Sequence, residues 1–449
     1  MKKVDQQYLA SVDSAYAAGG FYTEKQQSFA FSLLRRLQTS RYDPGVTDGK
    51  AVSIFGGTAV EGNRILIGKP YVETDESSAY LKADVVFPDS EQTVFFSVPA
   101  AYQSSFATEL ADCFVAAALP WCMRMGLDIV SEAPVSRSIL HSLKTRLIPG
   151  MTYHSEAYHA IDIIAEPSDL KYENAGHVGL GWSAGCDSLY TYMTHLHVPD
   201  AYRPTHLLNI NAGVNEEPDI DGKFQRASEK CIADAGIFGL KALNMNTNLH
   251  LVFPLLYLSI CPERLAACML SVQKELSSGL ISSSYDLSHM HYDDDNAGFY
   301  ELIIQDALSN QNITFSAPGV EVSRLEKLRR LSDFEPAQKM LHVCVREENK
   351  NCMTCGKCVR VITALDALGT IDRFGAVFDL QYFQDHRDEY WGHAIYRART
   401  KLNVICADVL TLLEQSNRTP GEGALKHARM LALVHKMSNA HRREMDGEQ

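Results

Sequence analysis

The chain has 449 residues, a formal net charge of -13 and 46% apolar residues, enough for two or three ordinary globular domains. The acidic balance gives no whole-protein electrostatic footprint for nucleic acid, and the opening MKKVDQQYLA lacks the apolar core of a secretory signal. With 11 cysteines and no such signal, the expected setting is a reducing, cytoplasmic one, where clustered thiols more often hold metal than form disulfides.

In chain order, residues 1–168 read as an α+β domain. AVSIFGG, NRILIGKPYV, ADVVFP and TVFFSVP are short β-rich runs closed by Gly, Pro, Asn or Asp. FATELADCFVAAALPWCMRMGL and SRSILHSLKTRL repeat apolar residues at helical spacing, and AYHAIDIIA follows as a strand. No catalytic motif is visible in this region. The rhythm changes over residues 169–340. AGHVGLGW, THLLNINAG and KALNMNTNL are strand candidates separated by the helical stretches SLYTYMTHL and KFQRASEKCIADAGIFG. Alternating strands and helices imply a parallel sheet with helices on both faces. LHLVFPLLYLSICPERLAACML is the longest apolar stretch, but two prolines, Glu263 and Arg264 break it, so it reads as buried core and no membrane span is expected. Residues 341–449 begin with a cysteine cluster and continue as apolar-striped helices: RVITALDALGTI, YFQDHRDEYWGHAIYRARTKL, ICADVLTLLEQ and ALKHARMLALVHKM.

Two short segments carry chemistry. The first is Ser183, Ala184, Gly185, Cys186, Asp187 and Ser188, between the first strand of the βαβ pattern and its helix. Ligands of open parallel sheets bind at strand carboxyl ends, and a helix N-terminus offers unpaired N–H groups to an anion. Gly185 allows close backbone approach, Ser183 and Ser188 offer hydroxyls, and Asp187 can cap the helix or help hold Mg²⁺. The Gly-Lys-Ser/Thr ending of a Walker A loop is missing. The same string also suits a plain capped helix, and Cys186 suits packing better than nucleophilic chemistry. The second segment is CVREENKNCMTCGKC, which sets Cys344, Cys352, Cys355 and Cys358 in a C-x7-C-x2-C-x2-C pattern. Four thiolates satisfy tetrahedral Zn²⁺ in a closed structural site; an iron–sulfur cluster remains open on the same residues.

SAGCDS resembles the Ser-Gly-Gly-x-Asp-Ser loop of the N-type ATP pyrophosphatases, the PP-loop superfamily, with Ala184 in place of the first Gly of the pair. If that position needs positive φ, Ala would be strained there. The loop together with the downstream cysteine pattern resembles the 7-cyano-7-deazaguanine synthase family over roughly residues 175–370, and more narrowly its divergent relatives in antiphage operons. The resemblance implies a PP-loop core flanked by the N-terminal α+β domain and a zinc-bearing helical C-terminal region. It further implies an AMP-forming ligase that uses ATP and Mg²⁺ to adenylate a carboxylate of the 7-deazaguanine type and passes it to a nitrogen nucleophile. A protein partner bound through the N-terminal domain and a homodimer are also implied.

Within that resemblance Asp187 belongs to the catalytic loop, Asn211, Ala212 and Gly213 lie where adenine binds, and a basic residue from the stretch before the cysteines reaches the pyrophosphate. SRLEKLRRL supplies Arg324, Lys327, Arg329 and Arg330, of which Arg324 and Lys327 share a helix face. Lys357 is a further candidate. Weaker readings are a metal site in SHMHYDDDN and a substrate wall in SSSYD. Two rivals stand beside the ligase: a tRNA-modifying sulfur transferase on the same fold, and a catalytically degenerate partner-binding scaffold, which Ala184 favours.

Overall fold

Alternation builds the first part of the sheet. In this computed structural model, which describes residues 62–213, 222–347, 350–400, 404–415 and 420–445, short strands β1 (Arg64–Ile67) and β2 (Tyr71–Thr74) precede the long strand β3 (Ser78–Val86). Every second residue of β3 is buried, the pattern of a strand with one face on the core. It pairs antiparallel along its length with β4 (Glu91–Pro99). The strand expected at AVSIFGG lies outside the described residues.

Helix α1 (Asp112–Met125) covers this sheet with Phe114, whose ring meets Phe96 of β4 edge-on at 5.3 Å, and Gly126 ends it in the left-handed conformation. Four short strands follow: β5 (Asp128–Ser131), β6 (Val135–Ser136), β7 (Ile163–Ile164) and β8 (Pro167–Ser168).

Then come the parallel strands. β9 is His177–Gly181, β10 His206–Asn211, β11 Lys241–Thr247, β12 Leu276–Leu280 and β13 Thr314–Ser316. Their spatial order is β13-β12-β9-β10-β11, all parallel. Numbered from β9, that is the 3-2-1-4-5 order of a doubly wound sheet, whose direction of progression reverses beside β9. Gly179 makes this tight packing possible: a Cβ there would lie 2.7 Å from Leu208 Cδ1 and 3.0 Å from Leu276 Cδ1, side chains of the two flanking strands. Helix α2 (Cys186–Thr194) follows β9, and α3 (Lys223–Phe238) packs on β10 and β11.

Strands on either side of residue 168 belong to one sheet. β4 pairs antiparallel with β11 through Phe96↔Thr247 and Ser97↔Asn246, so one mixed, mostly parallel sheet of 11 strands spans both regions. Thr247 Oγ1 donates to Phe95 O at 2.6 Å, and α1 packs on helix α4 (Tyr257–Ser271). Pairing between segments so far apart leaves no local mark in the sequence.

The described residues instead form two units. The first holds 62–183 and 194–321, the second 184–193 with everything from 322 onward. The second unit is helical: α5 (Arg324–Leu331), α6 (Gly356–Leu368), α7 (Arg387–Arg399) and α8 (Glu422–Met445), with shorter helices between. The second unit resumes at Val322, ahead of the cysteine cluster. Among the described residues no helix is long and apolar enough to cross a membrane; the stretch from Leu249 to Leu270 is split into two helices.

Candidate functional site

Trp182 N–H donates to Leu208 O at 2.8 Å, which holds the end of β9 against β10. Its indole donates to Asp234 at 2.8 Å, so Trp182 packs, as its place before the loop suggests. The chain then turns sharply. Ala184 has φ +52° and is fully buried. This is the left-handed region, which costs an L-residue about 1–2 kcal/mol, so Ala184 is strained. The Ala184 carbonyl accepts His342 N–H at 2.9 Å, which fixes the turn.

Ser183 is exposed, and Gly185 is half-buried. Ser188 is buried and donates to Gly185 O at 3.3 Å, so its hydroxyl tightens the loop. Burial pushes the Cys186 thiol up to about 12, which suits packing and leaves no thiolate near neutral pH.

Asp187, in the first turn of α2, points at α5. Ser323 caps α5 by accepting Glu326 N–H at 3.3 Å, a cap of the Ser-x-x-Glu type. One turn then presents Arg324 and Lys327 on a single face, as their spacing predicts. Arg324 grips Asp187 with Nη2 at 2.6 Å and Nε at 3.3 Å, and Lys327 Nζ reaches the same carboxylate at 3.2 Å. Lys327 is almost fully buried. Tyr190, one turn along α2 from Asp187, accepts Arg330 Nη1 at 2.9 Å, and Lys327 Nζ lies 5.9 Å from its ring centre. Sequence reasoning missed Tyr190, although its i+3 offset from Asp187 on α2 is a usable signal. Arg329 instead pairs with Glu326 on the exposed side. Lys357 stands near Arg324 and Arg360; burial, with those charges, pushes its ammonium down. The result is a cation-rich patch around one carboxylate at the start of α2.

Asn211, Ala212 and Gly213 lie at the carboxyl end of β10. Asn211 donates to Asn246 Oδ1 at 2.9 Å, and Ala212 O accepts the buried Arg264 at 3.1 Å. Gly213 has φ +101°, and a Cβ there would meet Arg264 Nη1 at 2.7 Å and His250 Cβ at 2.8 Å. This strand end is built for close packing by Arg264, a residue that the sequence shows only as an interruption in an apolar run.

The four cysteines converge: the Sγ atoms of Cys344, Cys352, Cys355 and Cys358 all lie within 4.8 Å of one another, a group that could hold a metal ion. Main-chain N–H groups of Arg346 and Glu347 point at Cys344 Sγ, that of Cys355 at Cys352 Sγ, each at 3.3 Å, and that of Cys358 at Cys355 Sγ at 3.5 Å. Such donors stabilise thiolates and orient them. Met353, between two of the cysteines, has φ +65°, and its carbonyl accepts Tyr390 Oη at 2.5 Å. Asn351 ties the loop to Leu341, Val343 and Val377 through three hydrogen bonds of 2.9 to 3.1 Å, the first two buried. Hydrogen bonds from the Cys344 and Cys358 thiols push Cys355 far below the ordinary thiol range, while the same contacts push Cys344 and Cys358 up. A cation in their midst would let all four ionise.

The weaker sequence readings do not converge. His289 contacts Asp286 at 3.2 Å, and His291 stacks near Phe299 with ring centres 4.4 Å apart. In SSSYD, Ser283 and Ser284 are tied to the buried Glu301 at 2.7 and 2.8 Å. A grouping that sequence reasoning missed is His177, His206 and Glu275, whose ligand atoms also lie within 4.8 Å of one another. No family model, curated protein or solved structure matches this chain.

Proposed function

We propose that the chain is an ATP-dependent, AMP-forming ligase of the PP-loop type, with the loop 183–188 and the cations of α5 receiving the triphosphate. The observation that carries this reading is the grip of Arg324 and Lys327 on Asp187 in the first turn of α2. Two cations on one carboxylate are a charge arrangement that phosphate oxygens can enter.

In this reading a carboxylate oxygen of the acceptor attacks the α-phosphorus of ATP, pyrophosphate leaves, and the acyl adenylate then meets a nitrogen nucleophile that displaces AMP. A free carboxylate is a poor electrophile because its leaving group would be oxide; AMP removes that barrier. Arg324 and Lys327 would stabilise charge on the departing pyrophosphate, worth about 3–4 kcal/mol in comparable electrostatic sites. Asp187 would either keep those cations in place or, released by them, help to hold Mg²⁺. The cysteine centre would bind Zn²⁺ as a structural ion that fixes the loop ahead of α6. The acceptor we favour is a 7-deazaguanine-type carboxylic acid. A protein is its proposed final carrier, met through the β-rich part of residues 62–168.

The test is pyrophosphate release from ATP and Mg²⁺ on adding 7-carboxy-7-deazaguanine. Release that depends on the acid supports the ligase, and ATP binding without release under any acceptor tried would sink it. That second outcome is the non-catalytic scaffold, for which the strained Ala184 is the supporting observation.

A further inference from the structure

The amino ends of three neighbouring parallel strands bring together groups from distant parts of the chain. His177 opens β9, His206 opens β10, and Glu275 immediately precedes β12. His177 Nδ1 lies 2.7 Å from Glu275 Oε1, and His206 Nε2 lies 3.8 Å from the same oxygen. The other carboxylate oxygen, Oε2, accepts Ser105 Oγ at 3.1 Å, so the carboxylate is oriented from behind.

Thr205 Oγ1 accepts Val178 N–H at 2.9 Å and stands 3.1 Å from Val178 O and 2.9 Å from His206 Nδ1, so it anchors the imidazole to β9. His206 is fully buried, and its Nε2 has no hydrogen-bond partner. That nitrogen stands 3.8 Å from Glu275 Oε1, too far for a hydrogen bond. A cation placed between the three groups would give it a partner.

We infer that His177 Nδ1, His206 Nε2 and Glu275 Oε1 bind a divalent cation of the zinc class, a second metal site separate from the cysteine loop. Two imidazoles and a carboxylate are a borderline-soft donor set that suits such an ion. Tetrahedral coordination at ordinary Zn–N and Zn–O lengths puts ligand atoms roughly 3.3 Å apart. The observed 2.7 and 3.8 Å straddle that spacing, and all three ligand atoms lie within 4.8 Å of one another. The His177 side chain is 31% exposed and that of Glu275 16%, which leaves a coordination position open to water. Bound metal would clamp the starts of β9, β10 and β12, and it needs no nucleotide.

The test uses the full chain, loaded with zinc and freed of excess by gel filtration. Elemental analysis should show one equivalent that is lost in both His206→Asn and Glu275→Gln but kept in Cys355→Ser. In the Cys355→Ser background, cobalt(II) should give visible d–d bands without thiolate charge transfer, and these bands should vanish when His206→Asn or Glu275→Gln is added. Circular dichroism guards against misfolding, and if His206→Asn does not fold, the near-isosteric Glu275→Gln decides. Wild-type protein whose only metal is lost with Cys355→Ser, or variants with unchanged zinc content and cobalt spectrum, would overturn the inference.

Discussion

The loop before α2 and the loop before α6 solve the same backbone problem with different means. Among the described residues, the non-glycine residues at positive φ are Ala184 and Met353, one in each loop. Each is buried, and each has its carbonyl held by a partner, His342 N–H for Ala184 and Tyr390 Oη for Met353. Backbone strain of this kind persists where the surroundings over-determine it. Around Met353 the surroundings are side chains: four thiols from one short segment. Around Ala184 they are main-chain bonds and the remote ion pair of Asp187 with α5. The cysteine loop therefore draws all its candidate ligand atoms from one segment, whereas the Ala184 loop depends for its charge partners on an element far along the chain.

The largest expected effect tests that self-sufficiency. Cys355→Ser, or a strong chelator, should abolish metal binding at the cysteine loop and cost about 4–5 kcal/mol, read as a melting-temperature fall of about 10 °C or more. An unchanged melting temperature would show that the loop stands without metal.

The dependence of the other loop on α5 comes next. Asp187→Asn leaves Arg324 and the buried Lys327 without their carboxylate and should cost about 2–3 kcal/mol, with millimolar ATP restoring part of the loss. Lys327→Ala should slow acceptor-dependent pyrophosphate release roughly 100-fold. Equal loss in the absence and presence of ATP would deny α5 a phosphate-binding role.

Glycine replacements then compare the two strained residues directly. Ala184→Gly removes only a methyl group and relieves about 1 kcal/mol of strain, so chemical denaturation should show equal or greater stability. Met353→Gly relieves the same strain but deletes a buried side chain, and a net loss of about 2 kcal/mol is expected. Matching changes would erase the contrast. The smallest effect concerns thiol chemistry. With its thiol pushed up to about 12, Cys186 is protonated throughout the range below that pH. It should resist alkylation at pH 8 in native protein, while metal-stripped Cys355 reacts; mass-spectrometric mapping separates the two.

What the sequence discloses follows from how local each feature is. The four cysteines lie within one segment, so their spacing alone marks them as candidate ligands. Arg324 and Lys327 are legible as one helix face, but that this face meets Asp187 is a tertiary fact. β9, β10 and β11 show as apolar runs between helical stretches. β12, with the sequence LSSGL, does not, because its serines and glycine read as a turn while Gly279 in fact makes room for Phe315 and Met269. The β4–β11 pairing carries no signature on either strand, because it joins segments far apart in the chain. His177, His206 and Glu275 share no motif; only strand order makes them neighbours.

Among the described residues, the second unit draws 184–193 from the middle of the chain, while its others begin at 322. No single cut can part the two units. A fragment starting at Val322 would be born without Asp187 and Tyr190, with Lys327 denied its carboxylate and Arg330 its phenol. During synthesis the ribosome releases that helix long before its partners exist, so the second unit must wait for the last third of the chain to be made.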